Sequence, residues 1–264
     1  MKKEVKLLKK INCLLKKLNC RNYLHHFGPK KYKLKHHLFA LILMESYQLS
    51  LRRVEKMLEM FGIKVPTYSA LCKRRKKIPT IIFEKLIQIT SGLQNKIVAI
   101  DATGFSRTNP SYHFIKRIDR KNPIKSYAKL SVLFDLPTRK FVAMKVRTKT
   151  RHDIKDVKYL LKIVSPTEKL LGDKAYDSEW LHKYCYEKNI QTIIPKKKNV
   201  KRGFYRRKQM KNYSEKEYHQ RSLIESGFSA IKRKYGSYVK GKSLTSINSE
   251  LSCKLLSHNL NLFH

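Results

Sequence analysis

Short apolar runs alternate with helical patterns from residue 96 onward, and this order limits the possible folds more than any other feature of the sequence. Five runs have the length and residue types of strands: 96–104, 126–136, 139–148, 168–176 and 190–195. Three segments have helical periodicity: 152–164, 177–189 and 214–235. The second and third strands flank a Pro-containing turn and are predicted to form a hairpin, whereas the later strands alternate with helices.

A hairpin followed by alternating helices and strands predicts an α/β fold with a mixed sheet, antiparallel at its start and parallel at its end. Five strands in this order, flanked by helices, are typical of the ribonuclease H-like arrangement. Asp153 and Asp177 are expected to cap the first two helices. We predict that this domain covers residues 93–264.

The first 92 residues have helical patterns only and are predicted to form an all-α region. "LSLRRVEKMLEMFGI" is expected to be a helix with Ser50 as its N-cap, followed after a turn by the helix "TYSALCKRRKKI". Two helices joined by a short turn, the second with a basic end, are typical of a helix-turn-helix, here at about 36–78. The same pattern also occurs in purely structural bundles. If it binds DNA, the contacts are expected from Lys73, Arg74 and Arg75.

The net charge indicates the kind of partner. The 264 residues include 60 Lys and Arg against 19 Asp and Glu, a formal charge of +41. Such an excess repels itself in a compact chain unless a polyanion binds, and nucleic acid is the commonest polyanion. The segment 196–211 has nine Lys or Arg in sixteen residues and is predicted to be a loop on the DNA backbone. Its expected contacts are Lys196, Lys197, Lys198, Arg202, Arg206 and Arg207.

Membrane and disulfide-stabilised proteins are disfavoured classes. No apolar run reaches the ~18 residues that a membrane-spanning helix needs, and the N-terminus lacks the pattern of a signal peptide. The five cysteines include no C-x-x-C pair, so neither a disulfide framework nor a structural zinc site is favoured. The expected setting is cytoplasmic.

Two acids each follow a predicted strand. Asp101 ends "VAID" and Asp173 ends "LLGD", and α/β sheets bind ligands beyond the carboxyl ends of their strands. A single acid in such a place is more often a turn residue or a helix cap. Two acids on strands that should be neighbours, in so basic a chain, favour a shared role.

A third acid lies in the basic helical segment "RSLIESGFSAIKRK" at 221–234. At 100° per residue, one narrow stripe beside the apolar stripe of the helix contains Tyr218, Arg221, Glu225 and Lys232. A helix packed on the sheet by its apolar stripe would present Glu225 towards the strand ends. The alternative is a solvated Glu225 that pairs with Arg221 four residues earlier.

Three carboxylates around a phosphate would repel it and one another, and a divalent cation would remove this conflict. Mg²⁺ prefers hard oxygen ligands and also binds phosphate oxygens. Two ions ~4 Å apart can activate a water and stabilise the leaving oxygen of an in-line displacement. We therefore predict Asp101, Asp173 and Glu225 as ligands of Mg²⁺ or Mn²⁺, with two ions expected.

These residues resemble the DDE transposases of the IS4/IS5 superfamily of insertion sequences, over roughly residues 35–262. Asp101 in "AIDATG" and Asp173 in "LLGDKAYDS" match the first two acids, and Glu225 matches the third. The family signature Y-(2)-R-(3)-E-(6)-K is matched at every offset by Tyr218, Arg221, Glu225 and Lys232.

The resemblance implies a transposase that binds the terminal inverted repeats of its element, cleaves DNA with divalent metal ions and joins the free 3′ end to target DNA. It implies that the three acids are catalytic, and that DNA is contacted by Tyr218, Arg221 and Lys232. A homodimer on double-stranded DNA is expected because two element ends must be joined. The expected setting becomes the nucleoid of a prokaryote.

Two other functions stay open. A ribonuclease H-like nuclease would cut DNA without joining it, and a catalytically silent DNA-binding protein could descend from a transposase. The predicted helix-turn-helix and the complete signature argue against the first. The intact set of three acids argues against the second.

Overall fold

The computed structural model describes residues 2–24, 27, 30–92, 96–107, 127–149, 151–164, 167–200 and 202–261. Contacts divide the chain into two compact units. The first comprises residues 1–86, 104–128 and 231–264, and the second comprises residues 87–103 and 129–230. The domain boundary between residues 92 and 93 stays a prediction.

The elements in chain order are α1 (Lys2–Lys17), α2 (Leu34–Ser46), α3 (Leu51–Met60), α4 (Tyr68–Lys77), α5 (Thr80–Ser91), β1 (Ile97–Arg107), β2 (Tyr127–Asp135), β3 (Lys140–Arg147), α6 (Ile154–Ile163), β4 (Lys169–Gly172), α7 (Glu179–Glu187), β5 (Gln191–Ile193), α8 (Phe204–Met210), α9 (Glu215–His219), α10 (Ser222–Tyr235), β6 (Tyr238–Val239) and α11 (Leu244–Asn261). A short 3-10 turn, Lys174–Tyr176, follows β4. No described helix is both long and apolar enough to cross a bilayer.

The first unit contains the predicted N-terminal helices. Ser50 Oγ accepts the N–H of Arg53 at 3.3 Å, which confirms Ser50 as the cap of α3, and Thr67 Oγ1 accepts the N–H of Ala70 at 3.4 Å at the start of α4. Helices α2, α3 and α4 pack on one another, and α11 packs on α2 and α4. Because neighbours surround α11, it is buried on almost every side, so it has no amphipathic pattern by which the sequence could have indicated it.

The sheet has the strand order β3-β2-β1-β4-β5. Strands β2 and β3 are antiparallel, whereas β4 is parallel to both β1 and β5. In the first unit, the last residues of β1 pair with β6, with Ser106 opposite Tyr238. The predicted mixed, ribonuclease H-like sheet is therefore confirmed, with the short sixth strand as an addition.

Alternating side chains of the hairpin pack on two layers of helices. Leu133 and Val142 belong to the buried cluster that α6 and α7 complete on one face. Their neighbours Phe134 and Phe141 point the other way, and the Phe141 ring lies 6.3 Å from that of Phe228 on α10. The hairpin is therefore apolar on both faces because both are covered.

The two predicted aspartate caps make no capping hydrogen bond, although Asp153 does occupy the N-cap position of α6. Ser178, not Asp177, accepts an N–H at the start of α7, from Leu181 at 3.3 Å. Asp153 precedes α6 but accepts no capping hydrogen bond there, and its carboxylate instead binds Lys129 at 2.7 Å. The Asp177 carboxylate instead accepts the Nε–H of Arg206 at 2.6 Å and the backbone N–H of Lys197 at 2.8 Å, so both acids bind groups from other segments of the chain.

Two predicted boundaries also change. The segment 196–211, predicted as a loop, contains helix α8. The helix predicted at 214–235 is two helices, α9 and α10, with a break at residues 220–221. The helical wheel that joined Tyr218 to Glu225 therefore does not describe one continuous helix, although Arg221 still follows Tyr218 by a turn whose N–H···O distance is 2.9 Å.

Candidate catalytic site

Asp101 and Asp173 follow paired residues of two adjacent parallel strands. Ile100 of β1 is opposite Gly172 of β4, so the next residue of each chain segment is an acid. Neighbouring strands lie ~4.8 Å apart, which places the two acids side by side. Strand β4 ends at Gly172, but β1 continues to Arg107, so Asp101 lies inside its strand rather than at its end as predicted.

Arg221 joins two of the three predicted carboxylates. Its Nη1 donates to Asp101 Oδ2 at 3.2 Å, and its Nη2 donates to Glu225 Oε1 at 2.7 Å. Glu225 lies in the first turn of α10, and its side chain is 57% exposed, whereas that of Arg221 is only 18% exposed. The pairing of Glu225 with Arg221 is thus present, but the same guanidinium also reaches a residue 120 positions earlier.

The charges of the other two acids affect the pKa of Asp101. Burial raises the pKa of the Asp101 carboxyl above its ordinary value, while the Ala102 N–H, 2.7 Å from Oδ1, and the Arg221 guanidinium lower it. The charges of Glu225 and Asp173 raise this pKa further. Burial would lower the pKa of Arg221, but the charges of Asp101 and Glu225 outweigh it and hold the guanidinium in its cationic form.

Gly227, which was not among the predicted site residues, lets α10 approach the sheet. A Cβ at this position would lie 2.8 Å from the Phe134 ring and 3.4 Å from the Phe141 ring. Only a residue without a Cβ fits this contact, and Glu225 is two residues away on the same helix. A glycine inside the predicted helical pattern was the available signal.

The donor atoms suit a divalent cation, but Arg221 supplies the positive charge between Asp101 and Glu225 in this structure. Carboxylate oxygens are the hard ligands that Mg²⁺ and Mn²⁺ prefer. Among the described residues, no three His, Cys, Asp or Glu side chains are grouped closely enough to hold a metal ion. A metal ion shared by Asp101 and Glu225 would therefore compete with this guanidinium for their oxygens.

The remaining residues of the predicted signature lie near aromatic rings. Tyr218 is half-buried on α9, with its ring centroid 6.2 Å from that of Tyr213. Lys232 is half-buried on α10, and its Nζ lies 5.5 Å from the centroid of the Phe105 ring.

The structure separates the predicted DNA contacts of 196–211 into exposed and structural side chains. Arg206 is buried, and its Nε donates to Asp177 Oδ1 at 2.6 Å. The Lys197 amine donates to the carbonyl oxygens of Ala175 at 3.3 Å and Asp177 at 3.1 Å. The exposed members are Lys196, Lys198, Arg202 and Arg207.

A similar separation holds on α4. Lys73 is exposed and Arg74 is half-buried, but Arg75 is buried and donates to Glu250 Oε2 at 2.5 Å. Arg75 and Arg206 are both enclosed by the protein, so neither guanidinium is available to DNA in this structure.

A comparison with protein families gives a match to the transposase DDE domain over residues 92–260. The chain belongs to the DDE transposase family. The match includes both strand acids and the whole of α10.

Three solved structures of the Mos1 transposase have 12% sequence identity to this DDE transposase. The Mos1 strand transfer complex has a TM-score of 0.35, and the match covers 91% of this chain and 77% of that chain. A pre-cleavage Mos1 transpososome has a TM-score of 0.27, and the match covers 91% of this chain and 80% of that chain. A Mos1 paired-end complex with the left transposon end also has a TM-score of 0.27, and the match covers 83% of each chain. A comparison with curated proteins gives no match.

A basic cleft of about 840 Å³ opens in the second unit of this DDE transposase. Its basic lining comes from Lys129, Arg151, His152 and Lys155. Ala175, two residues after Asp173, also lines it, as does Lys197, whose amine is bound to two backbone carbonyl oxygens. Asp153 in the same lining is neutralised by Lys129 and Arg147. The cleft is therefore suited to an anionic ligand.

Proposed function

We propose that this DDE transposase is a member of the IS4/IS5 superfamily that binds the terminal inverted repeats of an insertion sequence and catalyses metal-dependent strand cleavage and strand transfer. The observation that carries the proposal is the guanidinium of Arg221, bound to Asp101 and Glu225 at once. Together with Asp173 on the neighbouring strand, it supports a site in which three acids act jointly.

The three acids would be the catalytic residues and the ligands of two divalent ions, Mg²⁺ or Mn²⁺. These ions would supply the Lewis acid that activates a water or 3′-OH and stabilises the leaving oxygen. Arg221 holds the carboxylates in position until the substrate binds. A phosphate can then replace a carboxylate as the partner of its planar, two-pronged guanidinium.

Double-stranded DNA would contact exposed or half-buried side chains of both units, with two copies of the protein at work on paired ends. The proposed helix-turn-helix contributes Lys73 and Arg74. The signature residues are Tyr218, Arg221 and Lys232, and the basic segment contributes Lys196, Lys198, Arg202 and Arg207. The cleft at Lys129 and Arg151 offers a path for a phosphate backbone, because its cations outnumber its acids.

Glu225→Gln tests the catalytic role, since it keeps the length of the side chain but removes its charge. We expect normal folding and normal binding to the element end, measured by gel shift on the DNA that flanks the gene. Strand transfer with Mg²⁺ on the same labelled end should fall by orders of magnitude, because both chemical steps need the metal ion.

Glu215→Gln, an exposed change on α9, is the matched control and should leave both measurements unchanged. Near-normal strand transfer by Glu225→Gln would show that Glu225 is only a surface residue. Cleavage without joining by the wild-type protein would instead assign the ribonuclease H-like nuclease function.

A further inference from the structure

Asp177 is an enclosed acid four residues after Asp173, and its side chain is 0% exposed. Its Oδ1 accepts the Nε–H of Arg206 on α8 at 2.6 Å and lies 3.1 Å from Nε2 of His182 on α7. Its Oδ2 accepts the backbone N–H of Lys197, which follows β5, at 2.8 Å. Three segments of the second unit therefore meet at one carboxylate.

Both oxygens of the Asp177 carboxylate are paired, and the group is ionised. Burial alone would raise the pKa of the Asp177 carboxyl, but hydrogen bonds from Arg206, Lys197 and His182 outweigh burial and hold this pKa below its ordinary value. Burial lowers the pKa of His182, so its ring is neutral. A carboxylate only accepts hydrogen bonds, so Nε2 carries the proton of the ring, and Nδ1 accepts the hydroxyl of Thr192 at 2.7 Å.

Asp177 and Lys197 also hold the 3-10 turn that follows Asp173. Within the turn, the N–H of Tyr176 donates to the carbonyl oxygen of Asp173 at 2.9 Å. The Lys197 amine donates to the carbonyl oxygens of Ala175 at 3.3 Å and Asp177 at 3.1 Å. The turn is thus held by its own backbone and by the segment after β5.

The residue before Asp173 is fixed as well. Gly172 ends β4 and is paired with Ile100 of β1. A Cβ at position 172 would lie 3.1 Å from the Ile100 side chain and 3.5 Å from Cβ of Tyr176, so the strand and the turn pack closely on each other. Asp173 therefore lies between a paired strand and a turn that Asp177 and Lys197 hold in place.

An enclosed ion pair contributes little stability by itself, because the desolvation of its two charges offsets much of their attraction. It does provide direction, since each carboxylate oxygen accepts from a donor in a fixed position. We propose that Asp177 is a positioning residue that, with Lys197, holds Asp173 in place to bind a divalent cation beside Asp101. This inference rests on the proposed function, which makes Asp173 a metal ligand.

Mn²⁺ binding by Asp177→Asn tests the proposal without DNA. The substitution keeps the size of the side chain but removes its charge and replaces one acceptor oxygen by an NH₂ group. We expect the Mn²⁺ affinity of the full-length protein to fall by about 10- to 100-fold, the usual effect of replacing a residue that orients a metal ligand. Electron paramagnetic resonance of free Mn²⁺ measures the affinity, well below both melting temperatures, so that only folded protein is compared.

Lys197→Met separates positioning from charge. It keeps the backbone N–H that binds Asp177 but removes the amine that binds the turn. Loss of a positive charge should by itself strengthen Mn²⁺ binding. Weaker binding, which we expect, would therefore come from the turn.

Gln209→Ala is the matched control. The buried Gln209 side chain binds the N–H of Thr192 at 3.1 Å and the carbonyl oxygen of Ile190 at 2.9 Å, and neither bond involves the turn. This variant should have a lower melting temperature and the Mn²⁺ affinity of the wild type.

Unchanged or tighter Mn²⁺ binding by Lys197→Met would overturn the positioning role. An equal loss of affinity in Gln209→Ala would also overturn it, because Mn²⁺ binding would then follow stability alone. Mn²⁺ binding by the wild type without strand transfer at an element end would contradict the proposed function and leave the positioning role intact. Absence of Mn²⁺ binding by the wild type would contradict both.

Discussion

Arg221 determines the charge balance of the candidate catalytic site at the scale of single residues. It contributes the cation that Asp101 and Glu225 share, so each carboxylate has a partner in the absence of metal. The sequence identified all three residues through their offsets and acid content. It could not show that Arg221 reaches Asp101, because the two residues are 120 positions apart and only the fold brings them together.

Arg221→Ala should bind Mn²⁺ about tenfold more tightly than the wild type. The substitution removes the guanidinium that competes with the ion for Asp101 and Glu225, and a contact of ~1.4 kcal/mol corresponds to this factor. The measurement is the rise in melting temperature during a Mn²⁺ titration without DNA. Arg207→Ala loses the same charge from an exposed position and is the control. Weaker Mn²⁺ binding by Arg221→Ala would contradict the proposed competition, whereas weaker binding to the element end is expected.

Glu45 of the first unit should make stability depend on pH. Burial and the charge of Glu250 raise the pKa of Glu45 from 4.5 to about 8, although Lys254 is 4.0 Å away. Between pH 4.5 and about pH 8, Glu45 of the folded protein keeps a proton that the unfolded chain has released. The free energy of unfolding should therefore fall as the pH rises from 4.5 to about 8.

Glu45→Gln should flatten this pH dependence, because glutamine needs no proton to remain neutral. Urea unfolding at several pH values from about 5 to about 8 measures the slope. Glu59→Gln, on the exposed side of α3, should keep the slope of the wild type. An unchanged slope in Glu45→Gln would mean that Glu45 is ionised throughout.

At the scale of elements, Gly227 sets how closely α10 packs on the sheet. The strands and most helices followed from period-2 and period-3.6 patterns, which depend on neighbours in the chain. The break between α9 and α10 and the helix inside the basic segment did not. Phe228 of α10 packs on Phe141, and Glu179 accepts an N–H from the first turn of α8. Each of these contacts joins segments that are distant in the chain.

Gly227→Ala should lower the free energy of unfolding by about 1–3 kcal/mol, because its Cβ would meet the enclosed Phe134 ring. Helix propensity alone would predict a gain of ~1 kcal/mol, so the sign of the change distinguishes the two effects. Urea unfolding measures it, and strand transfer should fall as Glu225 is displaced. Ser226→Ala, exposed and one residue earlier, should stabilise slightly. A more stable Gly227→Ala would exclude the proposed close approach.

At the scale of the whole molecule, the charge of +41 predicts strong, salt-dependent binding to DNA. Exposed cations should contribute to this binding and structural ones should not. Lys196 and Lys198 are exposed, while Lys197 between them binds two backbone carbonyl oxygens. Adjacent lysines of one run therefore allow the two roles to be compared directly.

The double variant Lys196→Ala/Lys198→Ala should reduce the slope of log K against log salt by up to ~1.8, since each phosphate contact on a duplex contributes ~0.9. Its melting temperature should stay that of the wild type. Lys197→Ala should instead lower the melting temperature and change the slope little. DNA-binding isotherms at several salt concentrations and thermal unfolding measure both. If Lys197→Ala kept the wild-type melting temperature but had a reduced slope, Lys197 would be a DNA contact rather than a structural residue.

The sequence by itself determined the order of β1 to β5 with α6 and α7 between them, the three candidate acids and the signature around Glu225. These features are periodicities and fixed offsets, which are complete within short stretches of chain. Only the tertiary structure decided which arginines face solvent, that residues 231–264 belong to the same unit as residues 1–86, and that Arg221 joins Asp101 to Glu225. Each of these depends on contacts between residues far apart in the chain, and a local pattern carries no information about which distant side chain will meet it.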